Sequence, residues 1–175
     1  MSGPGADDLV QIELLDVSIE TVRFAQRHHD ALIRELELIT LGPDQLAAAE
    51  MADLRADEAR LRELFATFRP LVEDQLAAAS PSESPAERDL ELLVPADVAE
   101  LADEANAVFD RLEDRCGGGS LLLARPPRLS SGFRRWFLAQ MADQARGGQP
   151  ESWPRWWASH GDGSSPVPSE DPQAP

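Results

Sequence analysis

Apolar residues recur along this chain with two different periods. Within Leu9–Leu15, Val10, Ile12 and Leu14 alternate with Gln11 and Glu13, the pattern of a strand with one buried face. From Ser18 to Leu41 the spacing changes. Val22, Ala25, His29, Leu32, Leu36 and Ile39 follow at intervals of three and four, one face of a helix that Ile33 widens. Asp16 or Ser18 is placed to cap it, and Gly42-Pro43 suits the end of one helix and the start of the next. Residues 44–79 read as helical, with Leu46, Met51, Leu54, Leu61, Leu64, Phe65 and Phe68 as apolar positions. Pro70 predicts two helices or one bent helix there.

Ser80–Ser84, with Pro81 and Pro85, reads as a linker. Leu90–Val94 is a second short strand closed by Pro95, and a helix follows over Ala96–Arg115. Gly117-Gly118-Gly119 ends that helix. Leu121–Ala124 is a continuous apolar run, consistent with a central strand. Arg125-Pro126-Pro127 then turns the chain into a last helix over Gly132–Arg146, capped by Ser130 or Ser131, with Phe133, Trp136, Phe137 and Met141 inward. The expected fold is α/β or α+β: a small three-stranded sheet packed with four to five helices, in the order βααβαβα. The two crossovers permit parallel pairing with right-handed connections. Three segments follow: a flexible N-terminus over 1–8, one domain over 9–148, and a Pro/Ser/Gly-rich tail over 149–175 that carries a Trp cluster and is disordered over its last 18 residues.

Composition narrows the chemistry. The net charge is −16 and every base is Arg, so no P-loop lysine or Schiff-base lysine exists, and the absence of Tyr removes a catalytic tyrosine. One Cys excludes an internal disulfide and a Cys-rich zinc site. Residues 1–116 carry a net −17 and residues 117–175 a net +1. An acidic body repels nucleic acid and anionic lipid and favours a protein partner. With no long apolar window and no secretory signal, the expected compartment is the cytoplasm.

Candidate chemistry gathers at few places. His28-His29-Asp30 lies on the first helix, with His29 in the apolar stripe and His28 on its flank. Adjacent positions on a helix point about 100° apart, so the two imidazoles do not chelate one metal. For His29 two readings stand: a buried, hydrogen-bonded histidine between helix and sheet, or a proton-sensitive contact or general base. Gly117–Ser120 follows a helix and precedes a strand, the reverse of a phosphate loop. Arg125, Arg128, Arg134 and Arg135 form the one acid-free basic stretch, suited to docking an anion or to neutralising the chain's own acidic helices. Trp153, Trp156 and Trp157 either fold back or anchor a partner. Paired carboxylates such as Glu35/Glu37 read as solvated surface. No metal or cofactor is expected.

The segment Arg23–Glu35, with its Arg-His-His-Asp core, resembles the string RAQEHHDELLRE of a group of small actinobacterial proteins, as do Phe133-Arg134-Arg135-Trp136-Phe137-Leu138 and Trp153-Pro154. That group is associated with anti-sigma regulatory ATP-binding proteins and their antagonists. The resemblance spans residues 9–157 and implies a role in a partner-switching circuit that controls a sigma factor. It does not imply a kinase. The ATP-binding fold of the anti-sigma kinases needs an acidic–Asn helix box and a D-x-G-x-G loop, whereas the one Asn here is Asn106 and Gly161-Asp162-Gly163 lies in the tail.

The expected function is therefore a non-catalytic regulatory adaptor that binds a protein partner: an anti-sigma factor, its antagonist or a sigma factor. The expected contacts are His28, His29, Asp30, Arg128, Arg134, Arg135, Trp153, Trp156 and Trp157. The alternative is a small-molecule or nucleotide-binding enzyme of degenerate ATPase type with His29 as base. A homodimer is a third possibility.

Overall fold

In a computed structural model, residues 9–41, 48–78, 88–117, 126–161 and 163–168 are described. The first alternating segment is strand β1, Leu9–Val17, and the second is β2, Arg88–Pro95. They pair antiparallel, with Val10 opposite Val94, Ile12 opposite Leu92 and Leu14 opposite Leu90. These three pairs lie on one face by the period of two, so the sheet turns a continuous apolar face to the core. The register breaks between Leu14 and Val17, where Asp16 takes a positive φ of 55° and donates its N–H to Asp89 Oδ1 at 3.0 Å. Asp tolerates that conformation better than most residues. The extra residue restores the inward direction, and Val17 is buried.

Ser18 caps helix α1, Ile19–Leu41, its Oγ accepting from the Thr21 N–H at 3.1 Å. Helix α2 runs from Ala48 to Ala78 with Pro70 inside it, so of the two expected forms the chain takes the single helix and not the division into two. Contacts between the two run in opposite order: Thr40 bonds Glu58, Arg62 pairs with Glu37, and Arg69 pairs with Asp30. The helices are therefore antiparallel. With two such helices between the strands the chain turns back three times, an odd number, and β2 returns antiparallel to β1. The expected parallel pairing is corrected by that count of reversals.

Helix α3 covers Val98–Gly117 and α4 covers Arg128–Ala145. Pro127 stands at the N-cap of α4, so the helix begins before the expected serine cap. The third strand, expected at Leu121–Ala124, lies outside the described residues. Among the described residues the sheet has two strands, with five helices around it. Asp57 joins α2 to α3: buried, it accepts from Arg111 NH2 at 2.7 Å and lies 3.5 Å from Arg115. Gln144 of α4 covers the open edge of β1. Its amide donates to Glu13 O at 2.8 Å and accepts from Glu13 N at 2.9 Å, imitating a neighbouring strand.

Packing does not stop at residue 148. A fifth helix, α5, spans Trp153–His160, which the sequence pattern did not predict. Trp136, Trp153 and Trp157 are buried, and their indole N–H groups donate to the carbonyls of Glu151, Pro166 and Ser164 at 2.8–2.9 Å. The expectation of disorder over the last 18 residues is corrected over 158–161 and 163–168, and of the two readings of the tryptophans, fold-back holds for Trp153 and Trp157. Indole burial with every N–H satisfied offsets the ordering of a Pro-rich segment. Gly132 is required here, because a Cβ at that position would meet Trp157 Cζ3 at 2.3 Å.

Candidate functional site

The face of α1 is less buried than its spacing predicts. Val22 and Leu36 are buried, whereas Ala25, His29, Leu32 and Ile33 are half-buried. What they leave is a cleft of about 620 Å³ between α1, α2 and α4, floored by Leu14, Leu90 and Phe109. That volume falls within the range of about 300–1,000 Å³ found for small-ligand sites. Most of its wall is apolar: Leu32 and Ile33 from α1, Phe65, Phe68 and Val72 from α2, Phe133 and Phe137 from α4.

His29 sits in this wall. Its ring lies 3.4 Å from that of Phe65 and 6.0 Å, edge on, from that of Phe109. Burial first, then the charges of Arg134 and Arg69, push its pKa down from 6.5 to about 3. His29 is thus a neutral and weakly basic imidazole at physiological pH, unsuited to general-base work. Its ring thus meets aromatic rings of α2 and α3, in a cleft that Leu14 and Leu90 of the sheet also line. His28 turns back on its own helix, with Nδ1 2.9 Å from Phe24 O and its ring 4.2 Å from that of Phe24. Asp30 pairs with Arg69 at 3.2 Å at the cleft mouth.

The basic stretch is spent largely on α3. Arg134 is half-buried, with its guanidinium 3.9 Å over the Phe109 ring and Nη2 2.8 Å from Glu113. Burial lowers its pKa and Glu113 opposes that, while guanidinium remains charged throughout the physiological range. Its Nε is buried without a hydrogen-bond partner. Arg135 reaches the other oxygen of Glu113 at 2.7 Å. Arg128 is exposed at the first position of α4.

The structure thus brings His28, His29, Asp30 and Arg134 to one cleft and leaves the tryptophans apart from it. Trp153 and Trp157 are core. Trp156 is half-buried and stacks on His160 at 4.4 Å with an interplanar angle of 11°. The sequence reading took Phe65, Phe68 and Phe137 only as apolar positions, and Arg69 escaped notice. The one available signal was three Phe residues close to arginines, at positions whose convergence only the helix pairing sets. Among the described residues no cluster of three His, Cys, Asp or Glu side chains is placed to hold a metal. No described helix is long and apolar enough to cross a membrane. Neither a protein-family model, a curated protein nor a solved structure matches this chain.

Proposed function

We propose that this chain is a non-catalytic regulatory adaptor of the partner-switching kind, and that its partner docks across the mouth of the α1/α2/α4 cleft. One observation carries the reading. Two of the three segments in which the chain resembles the partner-switching group, about a hundred residues apart, supply facing walls of one cleft: His28, His29 and Asp30 from α1, and Phe133, Arg134, Phe137 and Leu138 from α4. The rim offers charged side chains of both signs, among them Arg69, Asp30, Arg62 and Glu37. The enzyme alternative with His29 as base is disfavoured by the low basicity of that imidazole. A nucleotide is also a poor match for a wall built mainly of Leu, Ile, Val and Phe.

Reversing the charge of Arg134 is a poor probe, because a carboxylate buried on Phe109 beside Glu113 would unfold the protein. Arg69 is exposed and serves better. The tagged chain, isolated from its native host at low salt, should bring with it an anti-sigma factor, its antagonist or a sigma factor. Arg69→Glu should lower that recovery at least tenfold. Recovery of none of these by the wild type, or equal recovery by the variant, contradicts the reading.

A further inference from the structure

We infer that the cleft is a binding site for a small amphipathic carboxylate, with its hydrocarbon body against Leu32, Ile33, Phe65 and Phe137 and its head beside Arg134. Three observations converge. The cleft has the size of a ligand site and a wall that is mainly hydrocarbon and aromatic, which favours an apolar body. Its charged wall residues are Arg34, Arg62, Arg69 and Arg134 against Asp30, Glu37 and Glu113, a local positive excess in a chain of net −16. Within it Arg134 keeps a buried Nε–H with no acceptor, a donor left over after Glu113 is served. A buried donor without a partner is costly, and although this atom has almost no exposed surface, a shift of the Arg134 side chain toward the cleft would let a carboxylate oxygen serve it. The basicity of His29 is depressed first by burial and then by the positive charges of Arg134 and Arg69.

The rest of the chain sharpens the requirement. The acidic body repels an anion at long range, but salt screens charges beyond about 8 Å at physiological ionic strength, and the local arginines then decide. Ser130 and Ser131, in the first turns of α4, also line the cleft one turn before Arg134. No acidic residue stands in that first turn. The inference rests on the cleft being the working site and supplies the regulation of that site: occupancy by the carboxylate changes what the mouth presents to a partner.

The test is competition against the fluorescent probe 1-anilinonaphthalene-8-sulfonate on the full chain, using dodecanoate, dodecanol and dodecylammonium below their micellar concentrations. Dodecanoate should displace the probe at least tenfold more effectively than either analogue. Ser131→Asp should weaken dodecanoate at least tenfold while leaving the melting temperature unchanged or raised, since an acid near a helix N-terminus suits the helix. Arg134→Gln should weaken it similarly, and its folding is checked by circular dichroism. Equal displacement by dodecanol, or no effect of Ser131→Asp, overturns the inference. Partner recovery is measured separately: if it persists while dodecanoate fails to bind, the carboxylate site falls and the adaptor reading stands. The converse result removes the adaptor reading and leaves the carboxylate site.

Discussion

Two aromatic groups share α4. On one side Trp136, Trp153 and Trp157 pack ring against ring, with centroid separations of 5.1–5.6 Å, and all three indole N–H groups are bonded to backbone carbonyls. On the other side Phe65, Phe68, Phe109, Phe137 and His29 line a space of about 620 Å³. Phe133 touches both, 5.4 Å from Trp153 and at the cleft wall. The first group is satisfied and closed by the chain itself, through Ser164 and Pro166. The second has a guanidinium N–H without an acceptor and an imidazole kept neutral by burial first and by two arginines after it. Aromatic residues that fill space hold the fold together, whereas aromatic residues that line space point to a ligand.

The difference can be broken first at the closed side. Trp153→Ala should cost about 4 kcal/mol, because the indole is fully buried and its removal leaves a cavity. Urea denaturation measures it, and a loss below about 1 kcal/mol would mean that α5 does not belong to the core.

At the open side the largest effect is on pH dependence. The unfolded His29 takes up a proton below about pH 6.5, while the folded protein refuses it until about pH 3. The unfolded state binds more protons in that window, so stability falls as pH falls through it. At pH 5 this cost is about 2 kcal/mol, at about 1.4 kcal/mol for each unit below 6.5. His29→Phe should remove it. Unfolding midpoints for the two proteins at pH 7 and pH 5 measure the difference, and parallel losses in both would place His29 in contact with water.

The smallest effect on stability sharpens the contrast most. Ala66 is exposed on α2 and lines the cleft. Ala66→Leu should change stability by no more than about 0.5 kcal/mol while displacing dodecanoate from the cleft. A fill-in substitution that left binding intact would put the ligand elsewhere.

The sequence made parts of this arrangement legible and hid others for physical reasons. The alternation in Leu9–Val17 and Arg88–Pro95 was readable because each strand buries one face and exposes the other. The stripe from Val22 to Ile39 was readable as a helix, but not the depth at which each position sits, since period says which residues share a face and not what covers them. Pro70 did not divide α2 because tertiary packing on both sides outweighs one lost hydrogen bond. Helix α5 was obscured by the prolines and glycines around it, whose local preference was overruled by indole burial. Of the site, His29 and Arg134 were visible as candidates. Their meeting over Phe109 was not, because it depends on how α1, α3 and α4 pack. The basic stretch near Arg134 and Arg135 was open to two readings, and Glu113 of α3 decides for internal pairing.

Hydrogen exchange of the full chain with and without dodecanoate tests most directly whether function lives in the cleft and the tryptophan group is structural. The account predicts added protection along residues 25–33 of α1, residues 65–72 of α2 and the first turns of α4, with α5 unchanged. Protection confined to α5, or no change anywhere at saturating dodecanoate, would contradict it.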